Sequence, residues 1–80
     1  EDYTRAIEID PKNAYAYYGR GRAHCNLGDN EKAIEDYTRA IEIDPKDAAA
    51  YNNRGISHGN LGDNEMKAQD FATAKRLGEE

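Results

Sequence analysis

Between residues 31 and 43 the apolar side chains fall at Ala33, Ile34, Tyr37, Ala40 and Ile41, with polar residues elsewhere. That spacing makes one stripe of an amphipathic α-helix. Asp29 or Asn30 is placed to accept the first free amides, and Glu31 meets the positive end of the helix dipole. Asp44-Pro45 stops the helix, because a residue before proline is driven out of the helical region. Pro45 then fits the first position of the next helix, where no amide is needed. From Ala48 to Leu61 the stripe is Tyr51, Gly55, His58 and Leu61, and Gly62 suits the left-handed residue that follows a helix. The pattern predicts a helix, a tight Gly-Asp turn, a second helix and an Asp-Pro turn.

The pattern recurs. Shifted by 34 positions, residues 1–12 (EDYTRAIEIDPK) match residues 35–46 at all twelve places. Asn13–Lys46 matches Asp47–Glu80 at 14 of 34 without a gap, including NLGDNE at Asn26–Glu31 and Asn60–Glu65. A fixed period of this length is the mark of a repeat array, in which each unit buries its apolar face only against its neighbours. Recent duplication and engineering both account for the identity of the twelve-residue copies.

The unit resembles the tetratricopeptide repeat, whose pattern is W-x2-L-G-x2-Y, then A-x3-F, A and P over 34 residues. Tyr17, Arg20, Gly21, His24, Ala33, Tyr37, Ala40 and Pro45 occupy those places in the first full unit. Tyr51, Arg54, Gly55, His58, Lys67, Phe71, Ala74 and Glu79 do so in the second, and Tyr3, Ala6 and Pro11 extend the register backwards. The resemblance implies an all-α superhelix, a right-handed TPR-like solenoid of stacked antiparallel helix pairs with five helices. Residues 1–12 are then the second helix of a truncated preceding unit, 13–46 a complete repeat, and 47–80 a complete, divergent and capping repeat. On that reading the chain is a fragment of a longer array. Gly21, Gly55, Ala40 and Ala74 are expected to let paired helices approach, with Tyr37 and Phe71 filling the space between units. Lys67 is the awkward replacement for a small residue, with Ala68 beside it expected to take over part of its packing; the last helix is expected to be the loosest-packed.

Charge narrows the partners. Of 80 residues, 16 are acidic and 11 basic, a net charge of -5, and no stretch concentrates Lys or Arg. This balance disfavours nucleic acid and anionic membrane surfaces as partners. The single cysteine, Cys25, forms no disulfide within the chain and favours a reducing, cytoplasmic setting.

No catalytic arrangement stands out, so the chain reads as no enzyme and calls for no cofactor. Asp36, Asp70 and the neighbouring acids are expected to be solvated charge on polar helix faces. His24 and His58, with Cys25 beside the first, are donor types that could hold a metal or small ligand. Their 34-residue spacing comes from the repeat itself, so they are read as packed core rings and no metal site is assigned.

In the resembled family the stacked first helices line a concave groove that holds an extended peptide. The matching positions are Tyr15, Tyr18, Arg22, Cys25 and Asn26, then Ala49, Asn52, Ile56, Gly59 and Asn60, with Asn53 one residue over. Tyr offers rigid amphipathic area, Asn pairs with peptide backbone, and Arg22 suits a carboxylate. Some members hold a chaperone's acidic tail in a Lys/Asn/Arg clamp; Tyr18 and Arg22 depart from that clamp and only Asn53 matches, so such binding is not expected. The expected function is a protein–protein interaction scaffold with a peptide groove. The alternative is self-association through an exposed end bearing Tyr3, Ile7 and Ile9.

Overall fold

The computed structural model describes residues 2–80; Glu1, the first residue of the expected truncated unit, lies outside them. Five helices follow one another: α1 (Asp2–Ile9), α2 (Ala14–Asn26), α3 (Asn30–Ile43), α4 (Ala48–Asn60) and α5 (Asn64–Gly78). There is no strand among the described residues.

The helix starts are fixed by short polar side chains. Asn13, Asp29, Asp47 and Asp63 each accept a hydrogen bond from the amide three residues on, at 3.1–3.2 Å. Asp29 thus takes the cap that the sequence left open between it and Asn30. The turns after α2 and α4 close through Gly28 (φ +82°) and Gly62 (φ +87°). Nothing lies within 4 Å of a Cβ at either glycine, so the left-handed backbone alone calls for them.

Pro45 does not begin α4. It sits in a turn in which the Asp44 side chain accepts from Lys46 N at 3.3 Å and the Asp47 amide donates to Asp44 O at 3.2 Å. Asp followed by Pro suits the first two places of a type I turn, and Asp47, beyond it, is the true cap. Asp10, Pro11 and Asn13 repeat the arrangement ahead of α2.

Consecutive helices pack as antiparallel neighbours, and α2 also touches α4. By contrast α3 touches neither α1 nor α5. First helices therefore converge while second helices splay apart, which curves the stack and makes the α2/α4 side its inner face. The slab measures 34 × 30 × 14 Å, so little is far from solvent. Its buried apolar residues are Ala16, Ala33, Tyr37, Ala40, Ile41 and Ala50. Ile34 is half-buried, and Leu61, expected on the packed stripe of α4, is half exposed; Ala50 and Ser57 take the deepest places on that helix.

Gly21 and Gly55 let the paired helices close, but each meets the ring of its own unit, where the rings were expected between units: a Cβ would stand 2.8 Å from Tyr37 and 2.9 Å from Phe71. Lys67 finds its room elsewhere than at Ala68, which is exposed. Its stem lies over Gly59, where a Cβ would come 2.7 Å from Cδ, and its amine stands 5.8 Å from the Phe71 centroid. One unit earlier the same two positions hold Cys25 and Ala33, so a large residue has exchanged sides with a small one. Only Asp70 is buried on α5, against five residues on α3.

Candidate functional site

Two buried polar assemblies come first, because they remove residues from any site. Asp36 and Asp70 are only 6% and 3% exposed, which overturns their reading as solvated surface charge. Arg20 clasps Asp36 through two hydrogen bonds at 2.8 and 2.9 Å, and Arg54 clasps Asp70 through two at 2.9 Å. Each guanidinium also donates to a threonine on the preceding second helix: Arg20 to Thr4 at 3.5 Å, Arg54 to Thr38 at 3.1 Å. The carboxylate hydrogen bonds hold both guanidinium pKa values above the ordinary arginine range. Bidentate charged pairs of this kind are the strong ones.

His24 and His58 stand beside these pairs, their Nε2 atoms 3.6 and 4.0 Å from Asp36 and Asp70. Both rings are half-buried. No group of three His, Cys, Asp or Glu able to hold a metal exists among the described residues. The two histidines serve separate aspartates, and Cys25 Sγ instead accepts from Ser57 Oγ at 3.6 Å.

The inner face divides into side chains that stitch the units and side chains that are free. Asn53 Nδ2 donates to Tyr18 Oη at 2.7 Å, and Asn60 Nδ2 donates to Asn30 Oδ1 at 3.1 Å. Asn53 and Tyr18 thus spend polar capacity on the α2–α4 junction, and Asn60 spends its on the start of α3. Tyr18 also packs 5.9 Å from Tyr37, whose phenol burial pushes well above its usual pKa. The Arg22 guanidinium lies 6.0 Å from the Tyr18 ring centroid. Asn26 and Asn52 are exposed, as are Tyr15 at 75% and Ile56 at 40%. These four and Arg22 face solvent.

Neither α2 nor α4 contains an Asp or Glu; all 16 acidic residues belong to the other helices, the turns and the chain ends. Of the three arginines on α2 and α4, only Arg22 has no carboxylate partner among the described residues. The α2/α4 side is thus the non-acidic side of an acidic molecule.

At the α1 end, Tyr3 and Ile9 are exposed (40% and 75%) and Ile7 is half-buried. The Tyr3 ring lies over Gly19, where a Cβ would overlap it. A hollow of about 250 Å³ opens there among Tyr3, Gly19, Arg22, Ala23 and Asn26. A second, of about 570 Å³, reaches from Tyr3 and Thr4 to Leu27 and Lys32. One unit further on, the equivalent surface of α4 is met by Tyr18, Cys25 and Asn30.

No helix among the described residues is long and apolar enough to cross a membrane. Among curated proteins, none matches the chain in sequence. Solved structures do. A crystal structure of MamA is 31% identical with a TM-score of 0.93, covering 96% of this chain and 45% of that one. MamA 41-end from Desulfovibrio magneticus RS-1 is 25% identical with a TM-score of 0.91, over 96% and 44%. The second TPR of Spaghetti (RPAP3), bound to the HSP90 peptide SRMEEVD, is 35% identical with a TM-score of 0.91, over 94% and 69%. The chain therefore spans less than half the length of the MamA proteins. A TPR repeat model matches residues 21–62 and a tetratricopeptide repeat model matches residues 2–35. With this period, this helix stacking and these matches, the chain belongs to the tetratricopeptide repeat family, an all-α fold that serves as a protein–protein interaction scaffold.

Proposed function

We propose that this chain is a non-enzymatic scaffold that holds an extended peptide or partner segment in the groove lined by α2 and α4. The observation that carries the reading is the division of the inner face. Tyr15, Arg22, Asn26, Asn52 and Ile56 stand open to solvent, while their neighbours are committed to packing. A rigid stack presents such side chains already arranged, so the ordering entropy falls mainly on the peptide. That the similar second TPR of Spaghetti (RPAP3) is bound to an HSP90 peptide supports a peptide as the partner. A catalytic role has little to work with, since the buried carboxylates are bound by arginine.

Self-association finds less support. A copy docking α5 onto another unit would present Ala72 and Lys75 where α3 presents Thr38 and Ile41. It would lack the hydroxyl that Arg54 uses and the buried apolar contact of Ile41. The test is an amide NMR titration with pooled end-capped octapeptides at two protein concentrations. Saturable shifts at Tyr15, Arg22, Asn26, Asn52 and Ile56 are expected. Shifts that follow protein concentration alone and centre on Tyr3 to Ile9 would replace this reading with self-association.

A further inference from the structure

One face of α2 stands bare where its counterpart on α4 is covered. Counted 34 positions on, Gly19, Arg22, Ala23 and Asn26 become Asn53, Ile56, Ser57 and Asn60. Three of the latter four are met from α2 and the start of α3. Tyr18 Oη accepts from the Asn53 amide, Cys25 Sγ from the Ser57 hydroxyl, and Asn30 Oδ1 from the Asn60 amide. Ser57 is accordingly 0% exposed, whereas Ala23 is open to solvent. Leu27 is 84% exposed against 49% for Leu61, and the His24 side chain 27% against 16% for that of His58. The hollow of about 250 Å³ lined by Tyr3, Gly19, Arg22, Ala23 and Asn26 marks the uncovered place.

The chemistry of this bare face differs from that of its counterpart, and the differences say what covers it. Gly19 has no amide to offer a tyrosine hydroxyl, and Ala23 no hydroxyl to offer a thiol. A polar group at the place of Tyr18 or Cys25 in the covering helix would stand unpaired there, so apolar side chains suit both places. Arg22 alone among the lining residues is charged; it is exposed and has no carboxylate partner among the described residues. Tyr18 and Cys25 are seven residues apart on α2, and position 22 lies between them on the same helical face. A covering helix with an acidic residue at that intermediate place brings its carboxylate to the stripe that Arg22 charges. A second copy of this chain has no such residue, because neither α2 nor α4 contains an Asp or Glu. We infer that this face of α2 docks an amphipathic helix of another protein, one with apolar residues at i and i+7 and a carboxylate at i+4. The surface adjoins the peptide groove at Arg22 and Asn26 but runs onto Gly19, Ala23 and Leu27, which the groove does not use.

Labelled peptides built on residues 13–30, the stretch that covers α4, test this on the 80-residue chain by anisotropy and amide NMR. A side-chain lactam on the opposite face keeps each peptide helical. The acidic peptide carries Tyr18→Leu, Arg22→Glu and Cys25→Leu; a neutral one carries Arg22→Gln in place of Arg22→Glu; a third is unaltered at all three places. A fourth is the acidic peptide with a central proline and no lactam. The acidic peptide is expected to bind, to shift amides of residues 19–27, and to bind about ten-fold more tightly than the neutral one, or about 1.4 kcal/mol. Arg22→Gln in the protein should bring the same loss and add none with the neutral peptide. Ala23→Gln fills the hollow from an exposed position and should weaken binding by about ten-fold or more, with the far-UV circular dichroism unchanged. Equal binding of all the peptides would overturn the choice of an acidic helix. Shifts confined to Tyr15, Asn52 and Ile56 would leave the groove in use and overturn this surface. Sedimentation that finds pairs of the chain, separated by Ala23→Gln, would replace the foreign helix with a second copy. If no peptide shifts residues 19–27, the inference falls while the groove reading stands on its own titration.

Discussion

Removal of the Arg54 guanidinium is the most severe single change the fold offers. Asp70 is 3% exposed, and the side chains of the pair are 16% and 4% exposed, so both charges are shielded from water. Arg54 supplies both hydrogen bonds that Asp70 receives from arginine, and it alone reaches Thr38. Arg54→Leu leaves a buried carboxylate without its counter-charge, an effect of about 3–5 kcal/mol. A domain of this size loses about 4–8 °C in Tm per kcal/mol, so a fall of at least about 12 °C is expected. The leucine itself is not at fault, since the repeat pattern carries leucine at that place. Arg54→Leu with Asp70→Ala should therefore recover to within about 1 kcal/mol of the parent, because an apolar replacement of a buried pair is often neutral. Urea denaturation followed by circular dichroism, run as a double-mutant cycle, reads the coupling directly. Single substitutions whose losses simply add in the double variant would refute the reasoning, as would an Arg54→Leu protein within about 0.5 kcal/mol of the parent. Arg20→Leu should lose less, since its side chain is 29% exposed and its threonine contact is longer.

Gly21→Ala should destabilise by about 1–3 kcal/mol despite alanine's better helix propensity, because its Cβ meets the enclosed Tyr37 ring at 2.8 Å. Gly59→Ala meets only the flexible Lys67 stem and should fall within about 1 kcal/mol of the parent; urea midpoints separate the two cases. Tyr37 supplies a pH test. Burial raises its folded pKa, so above the unfolded value of about 10 the unfolded chain releases a proton that the folded chain keeps. Stability is therefore constant below pH 10 on this account and declines above it, and Tyr37→Phe should flatten that decline in urea titrations between pH 8 and 11.

Helix positions, the cap of α3 to within one residue, and the close-approach glycines were legible in the sequence because they rest on local spacing. Gly28 and Gly62 follow from the turn, and Gly21 from its repeat in Gly55. The buried arginine–aspartate pairs were missed because a charged residue at a helix surface looks the same whether it faces water or the next helix. A signal was nonetheless present. Arg20–Asp36 and Arg54–Asp70 are each 16 residues apart, the same separation as Gly21–Tyr37 and Gly55–Phe71, which the repeat pattern already sets face to face. The inner face was harder to read. Asn53 and Asn52 are adjacent and identical in type, yet one is tied to Tyr18 across 35 residues of sequence while the other is exposed. Pro45 was misread because Asp44-Pro45 suits both a helix start and a turn, and Asp47, the better cap, decides between them.

The reach of Arg54 from its own unit to Thr38 of the unit before bears on how the array comes apart. In a linear array, stability divides between what each unit holds alone and what each junction adds. A guanidinium bonded to Asp70 within its unit and to Thr38 outside it belongs to both shares at once. Opening the junction therefore loosens the clasp inside the unit, and melting the unit releases the junction. Amide hydrogens of α3, α4 and α5 should then exchange as a single cooperative block. Those of α1, where no residue is buried and the threonine bond stretches to 3.5 Å, should exchange far sooner.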